Sequence, residues 1–207
     1  IMLFYSAALP DFASMRDHST GWRQRLGKRL ARGWVGTDVQ WRTLRMRIGM
    51  FGTFYFLILV FVNFLISTDF GQSMVPGWRD AIFPMYHTVS GFQAGVAGVV
   101  IALYFSRKYM KLEKYVHLDA FWSLGRLLFA LTLLWIYFFY SSFIVFWYGR
   151  SANDIATLEL LIKGPMIYAF IGGMVLMWFV PWWILIWNKV RRGTGAMVVG
   201  SFIILVG

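Results

Sequence analysis

The stretch LLFALTLLWIYFFYSSFIVFWYG, residues Leu127–Gly149, contains not one Asp, Glu, Lys or Arg. Three further stretches share this property: Ile48–Thr68, Ala81–Ser106 and Gly164–Asn188. A hydrocarbon layer about 30 Å thick needs about 20 apolar residues as a helix, because lipid offers no hydrogen-bond partner to unpaired backbone groups. All four stretches reach that length. The sequence therefore predicts an all-α, polytopic integral membrane protein.

The chain has a net charge of +11, and its basic residues lie in alternate loops. Nine Lys/Arg lie in Arg16–Arg47, four in Arg107–Asp119 and three in Lys189–Arg192, whereas the intervening loops hold only Arg79, Arg150 and Lys163. This alternation is the positive-inside pattern and predicts that the basic loops face the cytoplasm. A nucleic-acid-binding protein would gather its basic residues on one face, so we expect no nucleic-acid partner.

Both ends of the sequence are apolar but shorter than a span. We expect Ile1–Ser14 and Ala196–Gly207 to be partial helices, so that residues 1–207 form one transmembrane domain inside a longer chain, with four complete and two partial spans. The sequence contains no cysteine, so it offers no ligand of its own for an iron–sulfur cluster or a thiolate zinc site.

Residues 16–47 are predicted to form a basic segment on the cytoplasmic membrane surface. Trp22, Leu26, Leu30 and Trp34 recur every four residues among basic residues, which is typical of an amphipathic helix on anionic lipid headgroups. The alternative is a solvated basic loop, because glycines within the segment weaken a helix.

Asp11 is a candidate for proton transfer. It lies in an apolar stretch five residues before Arg16, roughly 7 Å inside the predicted cytoplasmic boundary at 1.5 Å per residue. A carboxyl group at that depth is a candidate for a proton path. A structural reading has equal weight with proton transfer: Asp11 caps the next helical turn or pairs with Arg16.

A second group of polar residues lies toward the predicted outer ends of two spans. Asn63, Asp69, Tyr86 and His87 are candidates for binding a quinone, with imidazole or carboxylate as the proton acceptor. Asp69, His87 and Gln93 are also candidates for a proton path. Hydrogen bonding between helices is the alternative for His87 and Gln93.

Two further residues bear on cofactors and charge. His87 is the only histidine inside a span, because His18 and His117 lie in cytoplasmic segments, so we expect no bis-histidine haem in this chain. Arg126 lies two turns into the fourth span. It is predicted to extend its side chain to the cytoplasmic face, and the alternative is a place on the proton path as counter-ion of a buried carboxylate such as Asp11.

Several strings resemble those of a known family. LPDFASMRD at Leu9–Asp17, VNFLISTDF at Val62–Phe70 and MVPGWRDAIFPMY at Met74–Tyr86 are similar to NrfD or polysulfide-reductase type membrane subunits. YHTVSGFQAGVAGVV, from Tyr86, and the long string from Leu118 to Arg150 resemble the second NrfD-like subunit of bacterial alternative complex III, the ActF type.

The resemblance implies a protein of about ten helices in a quinol-oxidising complex of the bacterial inner (plasma) membrane, in a respiratory or photosynthetic chain. It implies as partners a multihaem cytochrome c subunit, an iron–sulfur subunit, a sister NrfD-like quinol-binding subunit and small membrane subunits, besides lipids. Haem c and iron–sulfur clusters would belong to these partners, and menaquinone or another quinone would bind nearby.

The sequence departs from the family pattern at two positions. Members that oxidise quinol commonly carry His where Asn63 and Arg79 stand, and an Asn side chain cannot accept a proton at neutral pH. The expected role is therefore support of quinol oxidation or proton conduction, for which Asp11 and Asp69 match acidic positions of the family. The alternative function is that of a stand-alone permease.

Overall fold

The computed structural model describes residues 1–75, 77, 80–149 and 152–207, without the side chains of residues 153, 154, 157, 160 and 161. Within these residues the chain is helical and contains no strand, as the sequence predicts. Four helical regions are long and apolar enough to cross a membrane: Asp38–Met74, Phe83–Tyr109, Leu118–Gly149 and Ile167–Leu185. They coincide with the four charge-free stretches, so the chain is a multi-pass membrane protein.

The helices form two compact units, of which the first comprises Ile1–Val62. Its helices are α1 (Met2–Ala7), α2 (Leu9–His18), α3 (Trp22–Leu30) and most of α4 (Asp38–Ile66). Helices α2 and α3 approach each other closely at Gly27, where an added Cβ would lie 2.6 Å from the backbone nitrogen of Arg16. Glycine is thus required at this position for the two helices to pack.

The basic segment contains the predicted helix, but the helix is shorter than the apolar stripe. Helix α3 ends at Leu30, and Trp34 lies in the following loop. There Trp34 packs with Ala13, Ala31 and Leu44 in a small core, so its placement on the helical stripe was wrong. Trp22 and Leu26 are exposed, as an interfacial helix requires, and their contact with a membrane surface stays a prediction.

The second unit comprises Asn63–Gly207. A π-helical turn (Ser67–Gly71) and a 3-10 turn (Gln72–Met74) extend α4, and α5 (Phe83–Tyr109), α6 (Leu118–Gly149) and α7 (Ala152–Lys163) follow. The remaining helices are α8 (Ile167–Met174), α9 (Val180–Leu185), α10 (Asn188–Arg192) and α11 (Thr194–Val206). Its core is built by buried side chains of α5, α6, α9 and α11: Ala97, Val100, Phe121, Leu128, Leu185, Met197 and Ile204.

Some local expectations differ from the structure. The predicted polar outer loop after the fourth span is largely helical and forms α7. Small residues on a helix permit close contact with a neighbouring helix, but within the described part of the chain the glycines of α5 make no such contact. No described residue comes within 4 Å of a Cβ built at Gly91, Gly95 or Gly98. Helix α5 is instead buried through Gln93, Ala97 and Val100, because these lie on the face turned to α6 and α11.

Pro181 lies where the last complete span changes its helical geometry. A five-residue π-helix, Val175–Phe179, joins α8 to α9, and Pro181 is in the first turn of α9. Proline has no N–H to donate to the carbonyl four residues earlier, here that of Met177. The helix interruption that a proline causes therefore takes the form of a π-helical turn within a span that stays helical.

Candidate functional site

A cavity of about 280 Å³ lies in the second unit, at the beginning of α5. We call it the Asp80 cavity. Helices α5 and α6 supply most of its wall, and α7 and α8 close one side. Its lining residues are Asp80, Phe83, Tyr86, Phe139, Ser142, Phe143, Phe146, Leu158, Ile162 and Phe170. The wall is thus apolar and mostly aromatic, with a carboxylate and a hydroxyl as its main polar groups.

The local sequence places Asp80 at the cavity by ordering the turn before α5. The Asp80 carboxylate oxygen Oδ1 accepts the backbone N–H of Ile82 at 2.8 Å, and the side-chain amide of Gln72 donates to the Asp80 backbone carbonyl. An Asp that bonds the backbone two residues later is a common turn former, and Pro84 suits the first turn of a helix. The same residues that start α5 therefore orient the carboxylate.

Asp80 is buried, with 8% of its surface exposed. Its second oxygen, Oδ2, accepts a hydrogen bond from the Ser142 hydroxyl of α6. A carboxylate offers about four lone-pair positions, and these two bonds occupy two of them. Asp80 can therefore accept a further hydrogen bond from a ligand in the cavity without losing its own partners.

The rings of the aromatic wall pack against one another. Tyr86 lies 5.1 Å from Trp135 and 6.2 Å from Phe139, measured between ring centroids, and Trp135 stacks on Phe139 at 5.6 Å. The Trp135 indole N–H donates to the Ser90 hydroxyl oxygen at 2.9 Å, which fixes the indole orientation. A flat ring can enter between such side chains because offset aromatic packing is favourable.

His87 lies close to this wall, but its imidazole is hydrogen-bonded to Ser67, which does not line the cavity. Its Nδ1 lies 3.0 Å from the Ser67 hydroxyl oxygen, and the Ser67 hydroxyl donates to the Asn63 backbone carbonyl at 2.7 Å. Because that hydroxyl has one proton, we assign the Nδ1–H tautomer to His87, with Nδ1–H donating to Ser67. The interhelical bond expected as the alternative for His87 is therefore present, and the ring packs on Phe83 at 6.0 Å.

Gln93 lies in the centre of the second unit and is fully buried. Its amide nitrogen donates to the Thr132 hydroxyl oxygen at 3.1 Å and to the Met177 carbonyl at 2.9 Å. That carbonyl is the one which Pro181 leaves without a helical donor. Gln93 thus joins α5, α6 and the π-helical turn, which is the structural alternative foreseen for this residue.

The other candidates lie outside the Asp80 cavity. Asn63 is half-buried, Asp69 is exposed, and neither lines the cavity. The guanidinium of Arg126 stacks on Trp122, 4.1 Å from the ring centroid and one turn nearer the start of α6, which agrees with a side chain directed to that end. Arg79 lies outside the described residues. Of the proposed quinone ligands, only Tyr86 lines the Asp80 cavity.

Asp11 is exposed in the first turn of α2, and the structural readings for it do not hold. No side-chain cap is present at the start of α2. Arg16 bonds Asp17 instead, through Nε at 2.7 Å, and also donates to the Trp34 carbonyl at 3.0 Å. The hydrogen bond from Arg16 lowers the pKa of the Asp17 carboxyl below its ordinary value.

Sequence reasoning missed Asp80 and Ser142. A signal for Asp80 was present, because an acidic residue shortly before a proline-started helix commonly orders the turn. Ser142 belongs to the only polar pair, Ser141–Ser142, in the aromatic outer half of α6. Neither signal shows that the two side chains meet, since they are far apart in the chain.

The fold and the cavity define a polytopic helical membrane protein with an aromatic site that ends in a carboxylate. A family model described as polysulphide reductase, NrfD, matches residues 34–207. The chain therefore belongs to the NrfD family, whose members are typically quinol-interacting membrane subunits of redox complexes and usually partner iron–sulfur and other redox subunits. Among curated proteins, none matches the chain.

Proposed function

We propose that this chain is a supporting membrane subunit of a quinol-oxidising complex of the alternative complex III type, in the position of its second NrfD-like subunit, and that a quinone binds in the Asp80 cavity. The observation that carries the binding step is the Asp80–Ser142 pair at the end of an aromatic cavity of about 280 Å³. A quinol matches this arrangement because it has a flat apolar ring and hydroxyl groups at the ring edge.

Asp80 supplies the proton acceptor that this chain lacks at position 63, where it has Asn in place of the His of the family pattern. A carboxylate can accept both the hydrogen bond and the proton of a quinol hydroxyl, whereas an amide cannot accept the proton. The electrons would pass to haem c and iron–sulfur clusters of partner subunits, since this chain has no cysteine. Asp11 and Asp69 remain proposed members of a proton path, and menaquinone is the proposed quinone of a bacterial inner membrane.

The test compares Asp80→Asn with Asp69→Asn in the complex isolated from membranes. Both changes remove one carboxylate, but Asp69 is exposed and does not line the cavity. A hydrogen bond to a charged group contributes about 1.5–3 kcal/mol, so we expect Asp80→Asn to weaken binding of a short-tailed naphthoquinone about tenfold or more. Asp69→Asn should leave this affinity unchanged.

The same preparation tests membership of a redox complex. A multihaem c-type cytochrome should co-purify with the chain, and steady-state quinol oxidation should fall with Asp80→Asn. Equal naphthoquinone affinity in wild type and Asp80→Asn would remove the cavity from the proposal. Isolation of the chain without any redox partner would favour the permease instead.

A further inference from the structure

We propose that the first unit binds the phosphodiester headgroup of an anionic phospholipid in a second cavity, with Arg32 and Arg47 as the phosphate ligands. The cavity has a volume of about 300 Å³ and lies among α1, α2, the loop after α3 and the beginning of α4. We call it the Arg32 cavity. It shares no lining residue with the Asp80 cavity, and the proposal does not depend on quinone binding.

The first unit carries an excess of positive charge, and Arg32 and Arg47 are both exposed and accessible to an anion. Residues 1–62, all of which the structure describes, contain nine Lys/Arg and three Asp. Within this unit the one ion pair closer than 4 Å is that of Arg16 with Asp17. Arg32 and Arg47 therefore line a cavity without a carboxylate of this unit to neutralise them. Arginine binds phosphate well because its planar guanidinium donates two parallel hydrogen bonds.

The loop that carries Arg32 is ordered by specific contacts. Arg32 itself has a φ of +43°, which is uncommon for a residue other than glycine. Its guanidinium lies 5.4 Å from the ring centroid of Tyr5, whose hydroxyl donates to the Leu30 carbonyl at 2.8 Å. The Gln40 side-chain oxygen accepts the backbone N–H groups of Val35 and Gly36, each at 2.9 Å. The backbone that carries Arg32 is thus held in place before any ligand binds.

The remaining wall fits the apolar part of a lipid. Leu9, Val39 and Leu44 line the cavity beside the two arginines. A volume of about 300 Å³ corresponds to about ten water molecules at about 30 Å³ each, which suits a headgroup and excludes whole acyl chains. Beyond the cavity, α4 exposes Phe54, Leu57, Ile58 and Phe61, along which acyl chains can lie.

The depth of the cavity also agrees with a headgroup. Arg47 is the last charged residue before the charge-free stretch Ile48–Thr68. A lipid phosphate lies at this boundary between the aqueous phase and hydrocarbon, and basic pockets on the cytoplasmic side of a membrane attract anionic headgroups. A soluble phosphate would satisfy the arginines equally well but would leave the apolar wall uncovered.

The experiment measures lipid retention by native mass spectrometry of the complex released from nanodiscs. The double variant Arg32→Asn/Arg47→Gln is compared with Arg25→Gln/Arg29→Gln, which removes the same charge from α3 outside the cavity. Asn is chosen at position 32 because it tolerates a positive φ. We expect wild type and the α3 variant to retain phosphatidylglycerol but not phosphatidylcholine, and the cavity variant to bind phosphatidylglycerol at least tenfold more weakly.

Several outcomes would overturn the proposal. If both double variants bind phosphatidylglycerol equally weakly, the lipid is attracted by the overall charge of the unit and not by the cavity. If wild type binds phosphatidylcholine as well as phosphatidylglycerol, the arginines do not select an anionic headgroup. Displacement of the lipid by millimolar inorganic phosphate would assign the cavity to the free anion. If the double variant does not assemble, phosphatidylglycerol retention is compared between the single variants Arg47→Gln and Arg29→Gln. Arg47→Gln should preserve α4, because Gln is a good helix former. Loss of a subunit in Arg47→Gln, with no lipid bound in wild type, would assign the cavity to a protein partner.

Discussion

Replacement of Gln93 by Leu tests whether this buried amide repairs the helix interruption at Pro181. Leu has a similar size but no donor, so Gln93→Leu removes the hydrogen bonds to Thr132 and to the Met177 carbonyl. Hydrogen bonds between helices in membranes contribute about 0.6 kcal/mol each on average, which gives about 1.2 kcal/mol for two. A buried carbonyl left without its donor costs about 1–3 kcal/mol. We expect Gln93→Leu to lower the free energy of unfolding by about 1–3 kcal/mol.

The assay is unfolding of the purified chain by SDS in mixed micelles, followed by tryptophan fluorescence. Thr132→Val and Thr53→Val form a matched control pair, because each threonine hydroxyl donates to the carbonyl four residues earlier. Only Thr132 also accepts from Gln93 and is buried, whereas Thr53 is exposed. Thr132→Val should therefore be destabilising, and Thr53→Val should be nearly neutral.

A second substitution makes the reasoning refutable. Pro181→Ala restores an N–H that can donate to the Met177 carbonyl, so it should recover part of the stability lost in Gln93→Leu. Strictly additive effects of Gln93→Leu and Pro181→Ala would show that the two residues do not act on the same carbonyl. An unchanged free energy of unfolding in Gln93→Leu would refute the structural role of Gln93 altogether.

Three further predictions concern the topology of the chain, the packing at Gly27 and proton transfer at Asp11. Single cysteines placed at Gln72 and Lys111 should be labelled from the outside and from the cytoplasm, respectively, in intact cells and inverted vesicles; the reverse pattern would contradict the charge rule. Gly27→Ala should destabilise the first unit, because its Cβ would meet backbone at 2.6 Å, while Gly49→Ala, with open space around it, should not; equal unfolding midpoints would contradict the close packing. If Asp11 belongs to a proton path, Asp11→Asn should lower the proton-to-electron ratio of the complex in liposomes. An unchanged ratio would show that Asp11 is not part of that path.

The spans could be predicted from the sequence because they depend on a local property. A run of about 20 uncharged apolar residues must be helical in lipid, whatever its neighbours are. The helix within the basic segment follows from a similarly local rule, since its apolar residues recur at helical spacing. The ends of helices depend also on tertiary packing: α3 ends at Leu30, and Trp34 packs in the small core of the first unit.

The site depends on contacts between distant residues, which the sequence does not display. Asn63, Asp69 and His87 are candidates because they are polar residues at similar predicted depths, but the depth of a residue does not show which face of its helix it occupies. Helix packing turns Tyr86 and Ser142 toward Asp80, leaves Asp69 exposed and directs the His87 bond to Ser67.

The sequence by itself thus determined the class of protein, the number of complete spans and their predicted orientation, because hydrophobic length and loop charge act one segment at a time. Only the tertiary structure decided which polar groups meet. Asp80 with Ser142 and Gln93 with the Met177 carbonyl are pairs 62 and 84 residues apart in the chain. Their meeting is set by how the helices rotate and pack against each other, which is a collective property of the assembled helices.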